Sequence, residues 1–196
     1  NTAGSNGGLF SIASNGDVSF DPNGSFEDLA VGETRTTSFT YTLVDADGAT
    51  DTATVTVTVT GVNDTPITIG TIGTQTHNDS DTIVPIDVTG FFDDPDTSDV
   101  LTYSATGLPP GLSIDPNTGI LSGTIGSSAS AGGPYTVQIT ANDGNGGTVT
   151  QSFTWNVNNP APDAIDDGFG SDEDTAGVVG NAITNNDSDP DGDLLS

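Results

Sequence analysis

Apolar and polar residues alternate along much of this chain with a period of two. The clearest run is Thr52 to Thr60: Ala53, Val55, Val57 and Val59 fall on one face, and Thr52, Thr54, Thr56, Thr58 and Thr60 on the other. Phe39, Tyr41 and Leu43 alternate with polar residues just before it. Tyr135, Val137, Ile139 and Ala141 repeat the pattern, and Val149, Gln151, Phe153, Trp155 and Val157 follow. Successive side chains of an extended strand point to opposite faces, so this period predicts half-buried strands. Asp47-Gly48, Asp143-Gly144 and Gly146-Gly147 lie between the runs and supply turn chemistry. No stretch shows the spacing of a useful amphipathic helix, and 26 Gly with no Lys or Met weigh against one. The pattern predicts an all-β chain of sandwiches in tandem.

Two proline-bearing segments follow long strands. Val62-Asn63-Asp64-Thr65-Pro66 is the first and Val157-Asn158-Asn159-Pro160-Ala161-Pro162-Asp163 the second. Proline blocks continued strand pairing and stiffens a connection. They divide the chain into residues 1–63, 64–160 and 161–196. The middle piece has the size of one sandwich, and each outer piece is short for one.

Charge changes the picture. The chain has 28 acidic residues, a single basic one (Arg35) and a formal net charge of −27. Nucleic acid and anionic membrane are repelled as partners. Disorder would suit such a charge, but apolar residues make up 32% and are well patterned. A compact fold then needs counter-cations. Three of the acids are Glu (Glu27, Glu33, Glu173) and the rest Asp. Hard oxygen donors select Ca²⁺ or Mg²⁺ over zinc or copper. There is no cysteine, hence no disulfide framework. No signal peptide, membrane-spanning run or starting Met is present, so the chain reads as a piece of a longer protein.

Leu108-Pro-Pro-Gly-Leu-Ser-Ile-Asp-Pro-Asn-Thr-Gly-Ile-Leu-Ser-Gly-Thr124 sits between Phe92-Asp93-Asp94-Pro95-Asp96 and Ala141-Asn142-Asp143-Gly144. Together these resemble the dystroglycan-type cadherin-like module, over the whole middle piece. The outer pieces resemble a different repeat, shared by surface proteins of Vibrio, Colwellia, Bradyrhizobium and Shewanella. Asp172-Glu173-Asp174-Thr175 and Asn186-Asp187-Ser188-Asp189-Pro190-Asp191-Gly192-Asp193 look like its opening; Gly16–Pro22 and Phe39–Gly48 look like its middle and end. Both resemblances imply Ig/cadherin-like Greek-key sandwiches in large adhesins, exported by type I secretion and held at the bacterial surface, with neighbouring repeats as partners. The outer pieces, 63 and 36 residues long, together approach one complete repeat. The C-terminal piece of one chain is therefore expected to complete the N-terminal piece of the next, a head-to-tail contact that does not close.

Tracing the middle sandwich strand by strand locates the metal. Strands near 67–72 and 83–88 run out and back, so the loop 91–99 returns to the first junction. The strand at 135–141 climbs to the same end. Asp93, Asp94, Asp96 and Asp99 should then meet Asn142 and Asp143 beside linker residues Asn63 and Asp64, giving enough oxygen ligands for Ca²⁺. The same logic gathers Asp187, Asp189, Asp191 and Asp193 with Asp45 and Asp47, the latter pair from a second chain, beside Asn158, Asn159 and Asp163. Glu173 is placed to reach the adjacent junction. Asp187-x-Asp-x-Asp-Gly192 matches the start of an EF-hand loop, but Pro190 interrupts it and no helix flanks it.

The remaining features read as bland. Asp17, Asp28, Asp51 and Asp115 are expected to be solvated turn residues. His77 is expected at the surface, Trp155 in the core, and the Thr row on an ordinary strand face. No constellation for catalysis is present, and the chain reads as no enzyme. The expected function is a calcium-rigidified structural extender of a large, secreted or surface-bound adhesin. The competing reading is a calcium-dependent carbohydrate- or protein-binding module.

Overall fold

The computed structural model describes residues 1–166 and 187–192. The strands are β1 (Thr2–Ala3), β2 (Leu9–Ile12), β3 (Val18–Asp21), β4 (Thr34–Val44), β5 (Thr50–Thr60), β6 (Ile67–Thr68), β7 (Gln75–Asn78), β8 (Ile86–Asp87), β9 (Phe92–Asp93), β10 (Thr102–Thr106), β11 (Leu112–Ile114), β12 (Ile120–Gly123), β13 (Tyr135–Asn142) and β14 (Thr148–Asn158). The only helical elements among the described residues are 3-10 turns at Thr89–Phe91 and Ala129–Gly132. The all-β expectation therefore holds. Among the described residues no helix is long and apolar enough to cross a membrane.

The chain forms two compact units. The first comprises Asn1–Ile69, Phe92–Thr102 and Ala141–Val149. Its sheets are β1-β2-β3, the hairpin β4-β5 and the short pair β6-β9. An aromatic cluster fills its core. Phe10 is 1% exposed, and its ring lies 4.8 Å from Phe20 and 4.6 Å from Phe39, while Phe20 stands edge-on to Phe26. Such tilted packing suits ring quadrupoles better than face-to-face stacking. Thr37 is buried here too; its hydroxyl donates to the Gly7 carbonyl (2.8 Å), which removes the cost of an unsatisfied polar group.

The β4-β5 hairpin keeps strict antiparallel register from Thr34↔Thr60 to Val44↔Thr50. Asp45 closes its turn, accepting from the N–H groups of Asp47 and Ala49, and Gly48 takes the left-handed conformation the turn requires (φ 86°). The period of two is right here, but the expected apolar core face is not buried. Ala53 is exposed, Val55, Val57 and Val59 are half-buried, and Leu43 and Val44 are 62% and 65% exposed. These two strands form a sheet of their own, and alternation alone does not say whether a second layer covers it.

The second unit comprises Gly70–Phe91, Tyr103–Thr140 and Thr150–Ser196. Its sheets are β10-β13-β14-β7 and β11-β12-β8. Strand β7 pairs parallel to β14, Trp155 opposite Gln75 and Val157 opposite His77. Val88, Leu121, Val137, Ile139 and Trp155 are fully buried. Trp155 is core, as its phase predicts. His77 is half-buried, so the surface expectation holds in part: its ring lies 5.4 Å from that of Trp155 and its Nδ1 is buried without a partner. The parallel pairing of β7 beside β14, invisible in the local sequence, puts it there. Ordered pairing is also shorter than the pattern suggests at 67–72 and 83–88, where only Ile67–Thr68 and Ile86–Asp87 pair.

Candidate metal centre

The acidic loop of the first unit is built from three pieces of chain. Pairing of β6 with β9 sets Ile67 opposite Asp93 and so carries the loop that follows to the linker that precedes β6. The N–H of Asp64 donates to Asp96 Oδ2 (2.8 Å), and Asn63 Nδ2 donates to Asp143 Oδ2 (3.0 Å). Asn145 Nδ2 donates to Asp99 Oδ2 (2.8 Å), which ties the β13–β14 turn to the same loop. Gly147 is flush against this arrangement; a Cβ there would fall on Asp143 Oδ2 and on the backbone of Thr65.

The result is an open cleft of about 260 Å³ lined by Asp93, Asp94, Asp96, Thr97 and Asp99 with Phe92 and Leu101. One carboxylate oxygen from each of Asp94, Asp99 and Asp143 lies within 4.8 Å of the other two. Two unit charges so spaced repel by roughly 3–4 kcal/mol at an effective dielectric near 20. Burial pushes the Asp94 carboxyl above its ordinary range; the Asp96 N–H draws it down, and the charges of Asp96, Asp99 and Asp143 push it up again. Asp143 goes the other way. Burial alone would raise it, but Asn63 and the N–H groups of Asn145, Gly147 and Gly146 together hold it below the usual carboxylate value.

Three oxygens in this centre decide its chemistry. Asn63 Oδ1, Asp94 Oδ2 and Asp96 Oδ1 are buried with no hydrogen-bond partner, and Asp96 as a whole is 1% exposed. Each of these carboxylates accepts a hydrogen bond on its other oxygen; a buried oxygen left without one is costly, whereas its lone pairs are ready ligands. The donor set is four carboxylates and an amide oxygen, without nitrogen or sulfur, and fits a hard divalent cation of the Ca²⁺ type.

The sequence-predicted residues divide as follows. Asn63, Asp94, Asp96, Asp99 and Asp143 are brought together, and Asp64 joins through its N–H. Asp93 lines the cleft but is exposed, and its carboxylate accepts the Asp94 N–H. Asn142 turns its Oδ1 to the Gly144 N–H and shapes the turn. Asp45 and Asp47 lie in the exposed β4-β5 turn. Glu173 and Asp193 lie outside the described residues.

In the second unit, Asp163 and Ser188 form a two-way backbone bridge, and Asp187 Oδ1 accepts the Ile165 N–H. Asp189 Oδ1 accepts from the N–H groups of Asp191 and Gly192. Asn158 and Asn159 are exposed, but the Asn158 carbonyl accepts the N–H of Asp79. Asp79 was not among the predicted ligands. It is 3% exposed; its Oδ1 accepts the Ser130 N–H, and its Oδ2 is buried without a partner. The hydroxyl of the adjacent Ser80 donates to the carbonyl of Asp191, itself 6% exposed. A signal was available: Asn-Asp-Ser-Asp occurs at 78–81 and again at 186–189.

Comparison with known proteins adds two family matches. Residues 65–158 match the family described as Putative Ig domain, and residues 1–58 match the family described as Bacterial Ig domain. Both stretches are thus Ig-like. For the first piece the match is to a bacterial Ig domain. No curated protein sequence matches the chain. Among solved structures, protocadherin gammaB7 EC3-6 aligns at a TM-score of 0.53 with 16% identity, over 86% of this chain and 44% of that one. Protocadherin gamma B2 domains 1-5 align at 0.52 with 14% identity, over 84% and 33%. Human mucin-like protocadherin EC1-2 aligns at 0.51 with 19% identity, over 76% and 77%. These likenesses show a cadherin-like fold. The chain spans less than half the length of the first two.

Proposed function

We propose that these Ig-like domains form a structural segment of a bacterial surface adhesin, stiffened by Ca²⁺ and holding a distal binding region away from the cell. Export by type I secretion and residence at the cell surface belong to the same reading. The observation that carries it is the set of buried, unpartnered oxygens at Asn63, Asp94 and Asp96, which belong to the inter-domain linker and to the loop facing it. An ion held there ties the linker to the acidic loop 93–99. Asp99 and Asp143 complete the set. A cation that binds only the folded, aligned state stabilises that state by linkage, and extracellular modules of this kind work with Kd values of roughly 10⁻⁴–10⁻³ M. The loop of Asp187, Asp189 and Asp191, which the Ser80 hydroxyl next to Asp79 touches, is the candidate for a second ion, with Asn159, Asp163, Glu173 and Asp193 as its predicted neighbours. The fold class brings no catalytic constellation, and the reading is non-enzymatic.

The test is melting of the full chain in millimolar Ca²⁺, in Mg²⁺ and in chelator at one ionic strength, with limited proteolysis of the linker 61–66. A rise of several degrees and protection of the linker in Ca²⁺ alone is the expected result. Equal melting and equal cleavage in all three would overturn it.

One observation favours self-association as well. The half-exposed Val55, Val57 and Val59 row leaves an apolar face on the two-stranded β4-β5 sheet that strands packed across it would cover. The proposed occupant is residues 161–196 of a second copy. Sedimentation over a hundredfold concentration range should show a growing head-to-tail series; a single monomeric species throughout would exclude it.

A further inference from the structure

Arg35 is the only basic side chain in the sequence, against 28 acids. Its guanidinium engages Asp28 with two nitrogens on two oxygens, Nη1 to Oδ1 at 3.0 Å and Nη2 to Oδ2 at 2.5 Å. It also lies over the Phe26 ring, 5.8 Å from the centroid. Phe26 and Leu29 are 5% and 6% exposed, so the segment carrying Asp28 is pinned at both ends by core residues. Asp28 is a partly solvated turn residue, as expected, and its carboxylate is in addition committed to arginine.

The backbone of the same segment faces the metal centre. The Asp28 carbonyl accepts both the N–H (3.4 Å) and the hydroxyl (3.2 Å) of Thr97, which sits between Asp96 and Asp99 in the acidic loop. Next to it, the carbonyls of Leu29 and Ala30 press against Gly61, so closely that a Cβ there would overlap them, and Gly61 leads into the linker carrying Asn63 and Asp64. The segment 26–33 thus touches both the linker and the acidic loop, all within the first unit.

We propose that Arg35 is a positioning residue for the cation site: its fork fixes Asp28 so that the Asp28 carbonyl anchors Thr97 and presents Asp96 and Asp99 in binding geometry. The inference rests on the calcium reading above. It runs against simple electrostatics, and that makes it testable. If Arg35 acted only through charge, removing a cation beside an acidic cluster would tighten Ca²⁺ binding. If it acts as an anchor, removing it loosens the ligand loop and weakens binding despite the more negative field. Supporting groups of this kind typically change metal affinity by about tenfold or more. Lysine cannot replace the fork, because an ammonium is a point charge without bidentate geometry.

The experiment is calorimetric titration of Ca²⁺ into the full chain, following the binding step that the double variant Asp94→Asn/Asp96→Asn abolishes. Arg35→Gln and Arg35→Lys are each expected to weaken that step about tenfold, with unchanged stoichiometry and unchanged β-sheet circular dichroism. Thr97→Val keeps the Arg35–Asp28 pair and removes only the hydroxyl donor; a weakening of about threefold is expected from loss of one modest hydrogen bond. It also serves if the Arg35 variants fold poorly. Equal or tighter binding in Arg35→Gln, or full affinity in Arg35→Lys and Thr97→Val, would overturn the anchor while leaving the calcium site intact. Absence of any such step in the wild type would remove the calcium reading and the anchor with it.

Discussion

Asp94 and Asp143 carry carboxylate oxygens within 4.8 Å of each other and titrate in opposite directions, and the difference is a matter of donors. Asp143 receives hydrogen bonds from Asn63 and three backbone N–H groups, which outweigh its burial. Its ionised form stabilises the fold above the ordinary carboxylate pKa, and that contribution is lost as pH falls through its lowered folded value. Asp94 has burial and three neighbouring charges against one N–H. Its folded pKa is raised, so ionised Asp94 costs the metal-free fold stability above that value, and the cost fades as pH falls toward the unfolded value. Asp94→Asn should therefore raise the melting temperature in chelator at pH 7 by roughly 2–4 °C, remove that acid-side relief, and shrink the gain on adding Ca²⁺. Scanning calorimetry across pH 4–8 reads all three. A fall in the chelated melting temperature would mean that Asp94 is held by something other than a cation.

The elements that make the site are short, and this decides how much of it was legible. Long alternating runs such as Thr50–Thr60 and Thr148–Asn158 announce themselves, because eleven residues of period two fit a strand and little else. The pair β6-β9 is two residues on each side, yet it delivers the acidic loop to the linker. The direction of successive strands is enough to predict the convergence of Asn63, Asp94, Asp96, Asp99 and Asp143, without knowing which residues pair. Asp79 and the environment of His77 escape such tracing, because both depend on β7 lying parallel beside β14, a long-range choice with no local signature. Asp28 escapes it because one arginine can select any of many acids. At this scale Gly147 is the position to change. It is buried, and a Cβ there meets Asp143 Oδ2, Pro66 and Thr65. Gly147→Ala should cost about 1–3 kcal/mol in chemical denaturation and weaken Ca²⁺ binding, whereas Gly144→Ala, with open space around it but a φ of 82°, should lose stability and leave the affinity near wild type.

Across the whole chain the question is whether −27 charges need a bound ion or only an ionic atmosphere. The two make different demands. Diffuse repulsion among exposed carboxylates is screened by any salt, with a Debye length near 10 Å at 0.1 M and about 3 Å at 1 M. Buried, unpartnered oxygens such as Asn63 Oδ1 and Asp96 Oδ1 gain nothing from screening; they need a ligand within bonding distance. Melting in chelator should thus climb by several degrees as NaCl rises from 10 mM to 0.5 M, as the exposed acids are screened. The further increment from millimolar Ca²⁺ should persist at 0.5 M NaCl with little loss. If instead NaCl alone brings the chelated protein to the melting temperature it has in Ca²⁺, and added Ca²⁺ then does nothing, the acids are a tolerated surface charge. The stiffness of the linker would in that case have to come from Pro66 and the packing of Gly61 on Leu29 and Ala30.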